Sequence, residues 1–167
     1  MRNLAVLIVV FLSTVFFGFS QSTSQAEATL AGGLFVGGGD IFNLDRNTSD
    51  LSLETGGTLD LRLREQLHLT GSVGFLANVS DNDAFDDRSL FATSGLLFQT
   101  APDRSYRPFF TAGYAFADGE RACHDFFYAG GGVRHWYGEN IGWQLEIRDY
   151  INGDLNFIQG RLSLLLR

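Results

Sequence analysis

Apolar and polar residues alternate along most of the chain after about residue 30. The alternation is strictest in four stretches, which run over Leu51–Leu63, Leu67–Val79, Ile141–Tyr150 and Leu155–Leu166. In the first of these, Leu51, Leu53 and Leu59 fall on one face, whereas Glu54 and Asp60 fall on the other. A period of two places successive side chains on opposite sides of an extended strand. Each stretch therefore predicts a β-strand with one apolar face.

Eight segments of this kind predict an all-β chain. Their bounds are Leu30–Phe42, Leu51–Leu63, Leu67–Val79, Ser89–Gln99, Arg107–Ala117, Phe126–Trp136, Ile141–Tyr150 and Leu155–Leu166. Their lengths suit the roughly 9–11 residues that a tilted strand needs to cross a bilayer. Eight strands also make a barrel whose interior is just filled by side chains. We expect an eight-stranded antiparallel up-and-down transmembrane β-barrel, in which Phe91, Leu97 and Phe109 interrupt the polar face.

The connections between these segments alternate in length. Odd-numbered connections tend to be longer and acidic, as in Ser80–Arg88, and even-numbered ones tend to be tight, as in Arg64–Gln66. Bacterial outer-membrane barrels likewise have long outer loops and short periplasmic turns. The fourth connection, Thr100–Tyr106, and the seventh, Ile151–Asp154, depart from this rule. The pattern therefore supports a membrane barrel only in part.

The beginning of the chain has the three parts of a secretory signal. Arg2 supplies a positive charge, Leu4–Phe19 is largely apolar, and residues 26–28 form a small-x-small cleavage pattern. A transmembrane anchor is the alternative, but the apolar stretch is shorter than the roughly 20 residues that an anchor needs. We therefore expect residues 1–28 to be a cleaved signal peptide and residues 29–167 to form one exported barrel domain.

The composition indicates that the apolar face of the predicted strands contacts lipid rather than water. Only 19% of residues are charged and 45% are hydrophobic, whereas a water-facing sheet usually carries more charge. All basic residues are arginine and the net charge is -7, which disfavours binding to nucleic acid. One cysteine and three histidines provide neither an intrachain disulfide nor a zinc signature. No cofactor, metal ligand or catalytic residue is predicted.

Aromatic residues gather near the ends of the predicted strands. These residues are Phe42, Tyr106, Phe126, Trp136, Tyr137, Trp143, Tyr150 and Phe157. Amphipathic rings suit the headgroup zone of a membrane, so this placement predicts an aromatic girdle at each interface.

Three late stretches carry a family resemblance. They are residues 107–115 (RPFFTAGYA), 128–136 (YAGGGVRHW) and 141–150 (IGWQLEIRDY). In these features residues 29–167 resemble the small outer-membrane β-barrel family, the OmpA- and OmpX-type eight-stranded, porin-like proteins. The resemblance implies a bacterial outer-membrane location, contact with outer-membrane lipid and lipopolysaccharide, and insertion by the outer-membrane assembly machinery. Family members usually end in an aromatic residue, whereas this sequence ends Leu165-Leu166-Arg167, a departure that bears on the insertion signal.

An apolar exterior would place a set of charged residues in the lumen. These residues are Glu54, Asp60, Arg62, His68, Arg134, Glu146, Arg148 and Arg161. An unpaired buried ion costs far more than a paired one. We therefore expect salt bridges across the lumen, with Glu146 and Glu54 among the arginine partners, in a network that is structural. A narrow or gated ion path is the functional alternative.

Four other motifs suggest chemistry less strongly. Asp81–Asp87 lacks the spacing of an EF-hand, so we interpret it as a solvated loop, with a calcium or magnesium bridge to lipopolysaccharide as the alternative. The glycine runs at 37–39 and 130–132 lack the lysine and helix of a phosphate loop and predict strand curvature. Residues 123–125 (CHD) are interpreted as a loop without a positioned nucleophile partner, and His135 as an interfacial residue.

These patterns predict a non-enzymatic outer-membrane barrel with a structural or surface role in the envelope and at most a narrow porin-like channel. One alternative is a membrane-barrel enzyme that modifies lipid A. Enzymes of that deacylase type carry a His-x-Ser-Asn run on a late strand, where this chain has Arg134-His135-Trp136-Tyr137. The other alternative is a soluble secreted barrel that binds an apolar ligand. The sequence does not indicate an oligomeric state.

Overall fold

Eight β-strands account for nearly all of the chain that the structure, a computed structural model, describes. The described residues are 30–43, 48–78, 89–101, 105–118, 123–153 and 155–167. The strands are β1 Leu30–Asn43, β2 Thr48–Arg62, β3 Leu67–Asn78, β4 Ser89–Gln99, β5 Tyr106–Asp118, β6 Cys123–Tyr137, β7 Ile141–Asn152 and β8 Leu155–Leu166. The expected signal peptide and the acidic stretch Asp81–Asp87 lie outside the described residues. No helix among the described residues is long and apolar enough to cross a membrane.

The strands form a closed antiparallel barrel in chain order, as predicted. Each strand pairs with the next, and β1 pairs with β8 from Gly32–Leu166 to Asn43–Leu155. This order brings Leu30 and Leu166 to one end of the barrel, together with the turns 63–66 and 138–140 and the end of β4. We call it the terminus end, and we call the opposite end, where β1, β3, β5 and β7 end, the loop end.

The strand bounds differ from prediction mainly at the loop end. β4 and β8 have the predicted bounds, whereas β2 begins at Thr48 and β6 begins at Cys123. The interpretation of residues 123–125 as a loop is therefore wrong, because Cys123 pairs with Asp118 in the ladder between β5 and β6. Polar residues on both faces conceal the alternation in this part of the strand.

The apolar face of the strands is the outer wall of the barrel. Side chains on this wall are highly exposed, as shown by Leu34 at 73%, Phe110 at 65% and Phe127 at 72% of their full accessibility. A soluble barrel that binds an apolar ligand would direct this face inward. The outward orientation of the apolar face therefore argues against the soluble alternative.

The interior contains apolar clusters as well as polar residues. The larger cluster lies toward the loop end and consists of Ile41, Leu76, Phe91, Ala115, Ala117, Phe126, Tyr128, Tyr150 and Phe157. We call it the aromatic cluster. In its centre the Tyr150 and Phe157 rings stack with centroids 4.4 Å apart, and Phe91 meets Tyr150 edge-on at 5.3 Å. A smaller cluster of Ala31, Trp136 and Leu165 lies near the terminus end.

The prediction of an aromatic girdle is wrong for four of its eight residues. Phe126, Trp136, Tyr150 and Phe157 are buried inside the barrel. The reason is alternation itself, since Tyr150 shares a face with Arg148 and Phe157 shares one with Arg161. The other four residues lie on the outer wall. They are Phe42, Tyr106, Tyr137 and Trp143.

Two pairs of glycines make room for large rings in the lumen. Gly56 and Gly74 are cross-strand partners, and a Cβ atom on either residue would lie within 3.0 Å of Phe35 Cζ. Gly95 and Gly113 are likewise partners, and the Tyr128 ring lies against both. Because each ring lies so close to the backbone of its glycine pair, these positions require glycine.

This packing predicts a large difference between two neighbouring glycines. Gly56→Ala directs a methyl group against the backbone of β3 and the Phe35 ring, whereas Gly57→Ala directs it outward, where the nearest atom is 3.7 Å away. We expect Gly56→Ala to lower the free energy of unfolding by about 1–3 kcal/mol, the usual cost of overpacking. Gly57→Ala should leave it nearly unchanged. Urea unfolding in lipid vesicles measures both, and equal effects would contradict the assignment of the two faces.

Candidate functional site

The structure brings the predicted charged residues into the lumen. Seven of them are buried and Arg62 is half-buried. The seven are Glu54, Asp60, His68, Arg134, Glu146, Arg148 and Arg161. They reach the interior because each occupies an inward position of β2, β3, β6, β7 or β8.

A chain of buried polar contacts follows β7 along the lumen. Arg148 Nε donates to Glu146 Oε1 at 2.7 Å, and Gln144 Nε2 donates to Glu146 Oε2 at 3.1 Å. Arg134 Nε then donates to Gln144 Oε1 at 2.8 Å, and its Nη2 pairs with Asp60. Alternate residues of one strand therefore hold two arginines from β6 and β7 and two acids from β2 and β7 in a continuous series.

A third buried ion pair joins β8 to β2 across the inner face of β1. Arg161 Nε on β8 lies 3.6 Å from Glu54 Oε2 on β2. Both carboxylate oxygens of Glu54 are buried without a hydrogen-bond partner among the described residues. The Arg161 guanidinium lies over the Phe35 ring, with its carbon 3.7 Å from the ring centroid.

The ion pairs of Arg161 and Arg148 share one packing arrangement. Arg161 covers Phe35, and Phe35 in turn covers the Gly56–Gly74 pair. Arg148 covers Tyr128 at 4.7 Å, and Tyr128 covers the Gly95–Gly113 pair. In each arrangement a guanidinium contacts an aromatic face, which adds a favourable cation–π interaction in a site without bulk water.

Sequence reasoning missed the uncharged members of this site. Arg148 Nη1 donates to Thr93 Oγ1 at 3.3 Å, Thr93 and Ser72 share a hydrogen bond of 2.7 Å, and Tyr150 Oη donates to Gln159 Oε1 at 3.4 Å. For Ser72, Tyr150 and Gln159 the available signal was the face of the strand, which each shares with an inward charge. Thr93 had no such signal, since β4 contains no charged residue.

The other predicted motifs do not form a reactive site. Cys123 is exposed and donates to Asp118 Oδ1 at 3.2 Å. His124 is the next residue of the same strand and faces the opposite way, so the two do not form a nucleophile and base. His135 lies on the outer wall, stacked on Tyr106 at 4.5 Å, and its Nδ1 contacts Ser105 O at 2.9 Å. Across the described ranges no three His, Cys, Asp or Glu side chains could hold a metal ion.

A closed antiparallel barrel of eight strands, apolar outside and polar within, defines the class of small transmembrane β-barrels. Known structures of that fold are similar to this chain. Neisserial surface protein A matches with a TM-score of 0.66 and 10% identity over 83% of this chain and 97% of its own. The N-terminal barrel domain of Pseudomonas aeruginosa OprF matches with a TM-score of 0.54 and 13% identity over 83% and 99%.

A third similar structure is Ail, the attachment invasion locus protein of Yersinia pestis, with a TM-score of 0.50 and 10% identity over 81% of this chain and 97% of its own. No protein-family model matches the chain, and no curated protein matches it by sequence. The chain therefore has the fold of the small eight-stranded outer-membrane β-barrels, and the similarity concerns the fold alone.

The buried pair of Arg148 and Glu146 makes a prediction about stability. Removing one partner leaves a buried charge without compensation, so Arg148→Met or Glu146→Gln should cost about 3–5 kcal/mol of unfolding free energy. The double variant should be more stable than the sum of the two single losses predicts. Urea unfolding in lipid vesicles measures all three, with the exposed Arg64→Gln as the control. Additive losses would show that the two side chains are not coupled.

Proposed function

We propose that this chain is a non-enzymatic protein of the bacterial outer membrane, with a structural or surface role in the envelope. The observation that carries this proposal is the division of side chains between the two faces of the barrel wall. Large apolar residues cover the outside, whereas paired charges and an aromatic cluster fill the inside. Such a barrel is stable in lipid because closure pairs the backbone groups of its strands.

The filled lumen supports a closed barrel rather than a porin-like channel. An ion that entered from the loop end would have to pass the aromatic cluster, where Phe91, Tyr150 and Phe157 have no measurable exposure. Barrels of eight strands have room inside for side chains and little else. We therefore assign the charged lumen residues a structural role, in which they fix the packing of the interior.

The fold supports further assignments that we propose with it. Residues 1–28 would be removed on export, and the barrel would contact outer-membrane lipid and lipopolysaccharide after insertion by the outer-membrane assembly machinery. An enzyme that acts on lipid A is the other candidate class. No described residue favours it, since the catalytic His-x-Ser-Asn run is replaced by Arg134-His135-Trp136-Tyr137.

Gel mobility and conductance together test the proposal. The unboiled protein from the outer-membrane fraction should migrate differently from the boiled protein, because a closed barrel resists detergent until it is heated. The same preparation should give no steady conductance in planar lipid bilayers. A heat-independent mobility would contradict the barrel, and a steady single-channel current would contradict the closed lumen.

The single cysteine of the chain predicts a labelling result for orientation. Cys123 is exposed at the loop end, so a membrane-impermeant maleimide should label it on intact cells. The matched control is Glu139→Cys in a Cys123→Ser background, since Glu139 is exposed in the turn between β6 and β7 at the terminus end. This variant should react only after the outer membrane is permeabilised. Reversed labelling would place the loop end in the periplasm.

A further inference from the structure

Three aromatic rings surround His135 on the outer wall at the terminus end. The His135 ring stacks on the Tyr106 ring and meets the Tyr137 ring edge-on, in each case with centroids 4.5 Å apart. The Trp143 ring lies at 5.9 Å from the same imidazole. We call these four residues the His135 cluster. Tyr106 begins β5 and Tyr137 ends β6, so the cluster lies at strand ends, the depth at which a bilayer places its headgroups.

The tautomer of His135 follows from its hydrogen bond. Its Nδ1 atom lies 2.9 Å from the carbonyl oxygen of Ser105, and a carbonyl oxygen can only accept. Nδ1 therefore carries the proton, and Nε2 of the neutral imidazole is an acceptor. The neighbouring tyrosine and tryptophan rings attract a cation through their π systems. The His135 cluster thus fits a group that is both positively charged and a hydrogen-bond donor.

A row of cross-strand partners connects the His135 cluster with the middle of the outer wall. In order around the barrel, the row consists of Tyr106, His135, Trp143, Leu164, Leu34 and Gly57. It begins at the end of a strand and reaches the interior of β1 and β2, because the strands of a barrel are tilted. The row therefore leads from the depth of the headgroups to the depth of the lipid chains.

A groove of about 580 Å³ lies in the outer wall along this row. We call it the wall groove, and its large apolar side chains on the outer wall are Leu34, Val36, Phe75, Trp143, Leu162 and Leu164. Thr55 also lines it and places a small side chain between its cross-strand partners Val36 and Phe75. The volume is within the roughly 300–1,000 Å³ of ligand sites. Because Trp143 belongs to both features, the wall groove is continuous with the His135 cluster.

We propose that the wall groove and the His135 cluster bind one phospholipid with a primary ammonium headgroup, as in phosphatidylethanolamine. One acyl chain fills the wall groove, and the ammonium group donates to His135 Nε2 and contacts the surrounding rings. A choline headgroup has the positive charge but no N–H donor, so it should bind more weakly. The inference rests on the proposed function for the bilayer around the wall, and it adds the position and headgroup chemistry of one bound lipid.

Quenching of Trp143 fluorescence measures this preference. The chain with Trp136→Phe has Trp143 as its single tryptophan and is folded into bilayers of phosphatidylcholine with brominated chains, which quench a tryptophan in contact with them. Unbrominated phosphatidylethanolamine or phosphatidylcholine is then mixed in, and a lipid bound beside Trp143 restores its fluorescence. We expect phosphatidylethanolamine to bind about fivefold or more tightly than phosphatidylcholine, because it gains a charge-assisted hydrogen bond.

Two further substitutions in this parent test the headgroup and the chain separately. His135→Phe keeps an aromatic ring, removes the acceptor and should reduce the preference to about twofold or less. Thr55→Phe places a ring in the wall groove and should reduce the preference by a similar factor. The control is Phe127→Leu, which changes an exposed residue of the outer wall near the loop end and should leave the preference unchanged. Each variant is first checked for its heat-dependent gel shift, so that a loss of preference is not a loss of fold.

Three results would overturn the proposal. The first is equal binding of the two lipids by the parent, and the second is an undiminished preference in either His135→Phe or Thr55→Phe. The third is protection of Trp143 that rises with the protein-to-lipid ratio and does not depend on phosphatidylethanolamine, because a second copy of the chain would then cover the wall groove. The assay uses synthetic bilayers, so its failure is distinct from a failure of the outer-membrane assignment, which gel mobility of the outer-membrane fraction tests.

Discussion

Pairing between β1 and β8 is the constraint on which the rest of this structure depends. In lipid no water replaces a missing backbone partner, so a sheet can span the bilayer only when its edges pair with each other. The ladder from Gly32–Leu166 to Asn43–Leu155 provides this closure. Closing eight strands leaves an interior only as wide as the side chains that fill it. The size of each inward residue is therefore set by its neighbours across the lumen.

The narrow interior explains why small, aromatic and charged residues occur together. A ring such as Phe35 or Tyr128 fits only where the two strands next to its own carry glycine, and the ring then also meets an arginine. A guanidinium enclosed in this way needs a carboxylate nearby, which Glu54 supplies to Arg161 and Glu146 supplies to Arg148. Glycine, ring, cation and acid thus form one layered unit, which occurs twice in the barrel.

Alternation allowed the strands and their two faces to be predicted, and the errors arose where the face of the strand was ignored or hidden. Tyr150 and Phe157 were assigned to a girdle because they lie near strand ends, although Tyr150 shares a face with the inward Arg148. Cys123 was assigned to a loop because the polar residues around it conceal the period of two. The pairing of Arg161 with Glu54 depends on the β1 strand between them and on the stagger of the closed sheet, which local sequence does not encode.

The two ends of the lumen differ in the side chains that fill them. The aromatic cluster fills the lumen toward the loop end with buried apolar side chains. The terminus end instead presents cations and buried donors. Arg134 lies toward this end and begins the buried series that runs through Gln144 and Glu146 to Arg148. Because Gln144 contacts both Arg134 and Glu146, hydrogen bonds join the terminus end to the interior, whereas apolar packing closes the lumen toward the loop end.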